Sequence, residues 1–150
     1  MANTVKNYST IITVKQTIGE VLDLLIAHGA DQVMLRPGNA TEPARVGFSL
    51  ATAHGPVGYV MVVEVDAVLR RLQQQREKNS RLPIPSRDQA ARVAWRTLQD
   101  LLEAQLEMIA NGLAHADELF LPFRLVDAAG TTVYQAWQQG NLALPEGGHQ

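Results

Sequence analysis

From Ser86 to Gly112, apolar side chains return every three or four residues, the repeat of one long helix. Turned at 100° per residue, Ala90, Ala91, Ala94, Trp95, Leu98, Leu101, Leu102, Leu106, Met108 and Ile109 share one arc of roughly 160°, interrupted by Arg87 and Gln105. Arg92, Arg96, Gln99, Asp100, Glu103 and Glu107 fill the opposite arc. Ser86 followed by Gln89 has capping-box spacing, Pro83 and Pro85 block backward extension, and Asn111-Gly112 supplies the stop. The rod is about 38 Å long. An arc wider than the ~100° stripe of a surface helix needs two partners. One is a sheet; the other is a second helix or a second copy of the chain. Leu98, Leu101 and Leu102 are expected against the sheet, and Trp95 or Leu106 at a self-association seam.

The remaining pattern is shorter. Ser9 to Val14 is β-branched and predicts a strand. Thr17 opens a helix through Val21, Leu22, Leu24, Leu25 and Ile26 that ends at His28-Gly29. Gln32 to Arg36 reads as a short strand, and Pro37 to Pro43 as a mobile polar loop. Arg45 to Thr52 alternates, with Val46, Phe48, Leu50 and Thr52 on one side; Val57 to Val63 is more uniformly apolar. With Ala53-His-Gly-Pro56 between them they predict a hairpin whose second strand is central or covered on both faces. Asp66 is placed to cap a helix over 67–75, and 75–85 reads as a basic connector. Short elements follow: a helix over His115–Leu121, a strand over Phe123–Val126, a turn at Asp127–Gly130 and a helix over Thr131–Gln139. Residues 141–150 are expected to fray. The sum is one α+β domain over 1–150: a small, mainly antiparallel sheet packed by one long central helix and several short helices.

Charge changes this picture more than composition does. With 46% apolar residues and a net charge of −2, the chain has enough material for a core and is not expected to be disordered. Yet residues 70–96 carry eight cations against Glu77 and Asp88, whereas 97–150 carry Arg124 against seven acids. Such blocks speak to partners. Arg70, Arg71, Arg76, Lys78, Arg81 and Arg87 form a candidate nucleic-acid contact, arginine suiting phosphate geometry. Tyr59 and Trp95 are the nearest aromatics for base stacking, although Trp95 also lies on the apolar arc. The competing reading is a solvated basic connector that pairs with the acidic C-terminal third.

Other chemistries find less. Cysteine is absent, and His28, His54, His115 and His149 lack metal-ligand spacing, so neither a metal nor a cofactor is expected. Asp100, Glu103 and Glu107, with Asp117 and Glu118 nearby, would suit a small hydrolase, but they share an arc with Arg92 and Arg96 as a solvated face does. No nucleophile-elbow, phosphate-loop or dinucleotide fingerprint is present. No apolar run has the length of a membrane span, and Met1 to Asn7 lacks a signal-peptide pattern, which predicts a cytoplasmic protein.

Gly29-Ala-Asp-Gln32, Val46-Gly-Phe48, Ala94-Trp-Arg96, Phe120-Leu-Pro-Phe123 and Gly130-Thr-Thr-Val-Tyr134 resemble an uncharacterised family of small proteins from phages and bacterial mobile elements. The resemblance spans roughly residues 20–135 and implies that setting, with no activity attached. The expectation is a non-enzymatic binding protein that self-associates as a homo-oligomer and holds nucleic acid through residues 70–96. The alternative is a protein-binding module acting as inhibitor, adaptor or assembly subunit. Phe120 to Phe123 would suit such a contact.

Overall fold

The computed structural model describes residues 5–8, 10–39 and 41–140. Its elements run α1 (Val14–Ala27), β1 (Val33–Arg36), β2 (Ala44–Thr52), β3 (Gly55–Val63), α2 (Val65–Lys78), α3 (Arg87–Ala110), α4 (Ala116–Phe120), a 3-10 turn at Leu121–Phe123 and α5 (Val133–Gln138). This is an α+β fold with a three-stranded antiparallel sheet in the order β1-β2-β3. The tail expected to fray, 141–150, lies outside the described residues.

Alternation along β2 and β3 sorts the sheet into two faces. Val46, Phe48 and Leu50 with Val57, Tyr59, Met61 and Val63 point into the main core, where Val21 and Leu25 of α1, Trp95, Leu98, Leu102 and Leu106 of α3, and Phe120 of α4 meet them. Phe48, Tyr59 and Phe120 form an aromatic trio; Phe48 meets Phe120 edge-on with centroids 5.3 Å apart. The central strand is β2 rather than β3. β3 is nevertheless flanked on both sides, because the Leu125 amide donates to the Gly58 carbonyl at 2.9 Å and Tyr59 pairs with Arg124. Val60, on the face turned away from the helices, is only 8% exposed. Gly47 makes that possible: a Cβ there would meet Met34 Cε at 3.3 Å and Val60 Cγ2 at 3.7 Å, so Met34 and Val60 close over the bare backbone.

α3 serves two cores, which accounts for its broad arc. Trp95, Leu98, Leu102 and Leu106 face the sheet, while Ala90 and Val93 join Leu72 of α2 and Val5 and Tyr8 of the N-terminal segment. The second partner is therefore supplied within the chain. The expected capping box at Ser86 is half formed. The Gln89 amide donates to Ser86 Oγ at 3.1 Å, but the Gln89 side chain turns away and donates to the carbonyls of Tyr8 (2.7 Å) and Thr10 (3.0 Å). Leu101 departs from its expected place against the sheet: it is 45% exposed.

Other elements shift for local reasons. No strand forms over 10–13; Thr13 instead caps α1 by accepting from the Gln16 amide at 3.1 Å, so capping outweighs β-propensity and the helix starts before Thr17. α2 starts at Val65 with Glu64 at the N-cap, and it runs on to Lys78 into the stretch read as connector. Asn39 organises the 37–43 loop, its Oδ1 accepting from the Thr41 and Glu42 amides at 2.8 and 2.9 Å. Gly38 has φ +73, and a Cβ there would lie 2.6 Å from the Ala44 nitrogen. In place of a strand over 123–126, the 3-10 turn leads into single bridges at Arg124 and Leu125. Thr132 caps α5 reciprocally with Gln135.

Candidate nucleic-acid interface

The helical turn of α2 decides how its cations are spent. Val65, Val68, Leu69 and Leu72 pack toward α3 and the N-terminal segment. Rotation by 100° per residue then sends Arg70, Arg71, Gln74 and Lys78 outward and leaves Arg76 on the packed side, four residues after Leu72. Arg70, Arg71, Lys78 and Arg81 are exposed, and among the described residues none of their charged groups has an ion pair or hydrogen bond. Arg71 and Lys78 lie two turns apart on one side, about 10 Å along the axis.

The other two named cations are placed differently. Arg76 is half-buried, and its Nε is buried without a hydrogen-bond partner. Its charge opposes the rise that burial imposes on the Tyr8 phenol. Arg87 pairs with Asp66, and its Nη2 donates to the Asn39 carbonyl at 3.3 Å. The six residues thus do not converge on one surface. Four are free, one is tucked into a helix contact, and one staples the start of α3 to the start of α2 and the 37–43 loop.

The aromatic candidates do not serve the interface. Trp95 is 1% exposed and Tyr59 0%, so neither offers a ring for base stacking. Burial raises the Tyr59 pKa, reinforced by the hydrogen bond its hydroxyl donates to Asp117 Oδ1 at 2.9 Å. The two residues expected at a self-association seam are not on the surface. Trp95 and Leu106, at 1% each, fill the chain's own core, because α1, α4 and the sheet already cover that side of α3. Phe120 is likewise fully buried and Phe123 half-buried, leaving Leu121 and Pro122 as the exposed members of the motif.

The acidic helix face is a network of pairs to the N-terminal part of the chain. Lys6 approaches Asp100 at 2.9 Å and Asn7 donates to the same carboxylate at 3.2 Å. Burial works to raise the Asp100 pKa, but these contacts outweigh it and hold it below the ordinary value. Arg96 bonds Glu20 of α1, and this contact lowers the Glu20 pKa. His28 stands 3.8 Å from Glu107. Asp117 accepts from Tyr59 and lies 3.6 Å from Arg124. Asp100, Glu107 and Asp117 are thus spent on neighbours, while Glu103 is exposed and makes no ion pair or hydrogen bond among the described residues. Among the described residues, no group of three or more His, Asp or Glu side chains is arranged to hold a metal ion. No helix among them is long and apolar enough to cross a membrane.

Two open clefts flank the N-terminus of α3. One, of about 300 Å³, lies between the 37–43 loop, Glu64, Asp66, Arg87 and Asp88; the other, of about 430 Å³, is lined by Tyr8, Ile11, Pro83, Ile84, Gln89 and Arg92. Each draws on segments far apart in sequence, so neither was visible along the chain. A pair of cations also escaped the linear reading. Strand register sets Arg36 opposite Arg45 on the face turned away from the helices. The alternation along 45–52 already placed Arg45 outward, but its neighbour across the hairpin follows only from the register.

No family model, curated protein or solved structure matches the chain.

Proposed function

We propose that the chain is a non-enzymatic binding protein of a phage or mobile-element setting, whose ligand is the phosphate backbone of nucleic acid, held along the outer face of α2 and the turn that follows it. The observation that carries this reading is that Arg70, Arg71, Lys78 and Arg81 stand exposed without acid partners among the described residues, whereas Arg87, Arg96 and Arg124 each meet a carboxylate. With no exposed aromatic among the named residues, binding is electrostatic and blind to base sequence. Fluorescence anisotropy of a labelled single-stranded oligonucleotide at three salt concentrations tests it. Four phosphate contacts give a log–log slope of about −3. Changing Arg71, Lys78 and Arg81 together to glutamine flattens it by about 2. Arg87→Gln leaves the slope unchanged, since that side chain is engaged with Asp66. Absence of affinity at low salt ends the reading.

A protein-binding module is favoured by one other observation. Leu101 and Met108, seven residues apart on α3, are 45% and 40% exposed. Under that reading oligonucleotides do not bind, and Leu101→Asp abolishes capture of the partner.

A further inference from the structure

Arg36 ends β1 and is the cross-strand partner of Arg45 in β2. Directly paired residues send their side chains to the same face, here the one turned away from the helices. Among the described residues, neither guanidinium has an ion pair or hydrogen bond. Like charges set directly opposite each other destabilise a sheet, and no carboxylate among the described residues pairs with either arginine. The third position of the row is Val62, and the next row, Met34–Gly47–Val60, is apolar. Two arginines paired across neighbouring strands at the rim of an apolar floor offer N–H donors that match the oxygens of a phosphate. An anion bridging them converts the repulsion into attraction to a shared partner.

We propose that Arg36 and Arg45 together bind a phosphate group on the open face of the sheet. That phosphate belongs either to a small phosphorylated molecule or to a nucleic-acid backbone, and the chemistry of recognition is the same. The pair lies on different elements from the α2 cations, so the site stands or falls independently of them.

The test titrates inorganic phosphate into the full chain, with sodium chloride at equal ionic strength as the reference. Phosphate should perturb the Nε–H resonances of Arg36 and Arg45 and raise the melting temperature by about 2 °C or more near saturation. In Arg36→Gln and in Arg45→Gln the phosphate response disappears. Neither variant melts below the parent in chloride, since each removes a repulsion. The triple variant of Arg71, Lys78 and Arg81 keeps the full response. A parent response no larger than that of chloride, or an undiminished response in both single variants, overturns the proposal. The source is read from the oligonucleotide titration. A several-fold loss of affinity in Arg36→Gln identifies the backbone phosphate; unchanged affinity alongside a lost phosphate response identifies the small molecule.

Discussion

Leu101 and Leu102 are neighbours in sequence and 100° apart around α3, so truncating each measures how the helix is rotated. Leu102 is fully buried among the sheet, α1 and Phe120, while Leu101 is 45% exposed. Leu102→Ala removes a buried side chain and leaves a hole in a packed interior, for a loss of about 2–5 kcal/mol. Leu101→Ala loses only part of the roughly 1.5–3 kcal/mol that full burial of leucine is worth, so about 1 kcal/mol. Alanine's better helix propensity offsets a few tenths of that. For a chain of this length, 1 kcal/mol corresponds to about 2–4 °C in melting temperature. Leu102→Ala should therefore melt about 5–15 °C below the parent, and Leu101→Ala within about 4 °C. Urea denaturation should show the same order, with m unchanged in both variants. Equal losses, or a larger loss for Leu101→Ala, would refute the two-core assignment of α3.

The Tyr59–Asp117 bond gives an ordered pair of variants. Asp117→Ala strands a buried phenol hydroxyl and should cost about 1–3 kcal/mol, whereas Tyr59→Phe leaves Asp117 beside Arg124 and should cost about 0.5–1.5 kcal/mol. The reverse order in urea melts would contradict the geometry. Glu20 and Asp100 both have carboxyl pKa values depressed in the fold, so they contribute stability above the ordinary carboxylate range and lose it as pH falls through the depressed values. Asp100→Asn should accordingly flatten the acid limb of the stability–pH curve below about pH 4 while changing its slope near neutrality little. A curve parallel to that of the parent throughout the acid range would show that the Lys6 contact contributes nothing.

Much of the fold was legible along the chain, for physical reasons that act locally. The span of α3 follows from Ser86 at its start, Asn111-Gly112 at its end and an unbroken periodicity between. The 44–63 hairpin follows from alternation around a turn. The α+β class follows from having one such hairpin among several helical repeats. Where the reading failed, a long-range contact or a competing local bond prevailed. Gln89 left its capping role for the carbonyls of Tyr8 and Thr10, some eighty residues away. Thr13 captured the start of α1 from a β-branched stretch.

The candidate site divides along the same line. Charge blocks are additive along a sequence, so the cationic stretch of residues 70–96 was apparent at once. Which of those charges is available depends on helix rotation and on distant acids: Asp66 engages Arg87, and packing against the N-terminal segment takes in Arg76. The width of the α3 arc stated that two partners were needed, but a periodic pattern carries no identity for what covers it. Only the tertiary structure showed that α2 with Val5 and Tyr8 covers Ala90 and Val93, while the sheet, α1 and α4 bury Trp95 and Leu106 within one chain. The Arg36–Arg45 juxtaposition has the same origin, since strand register is a relation between segments that neither segment encodes alone.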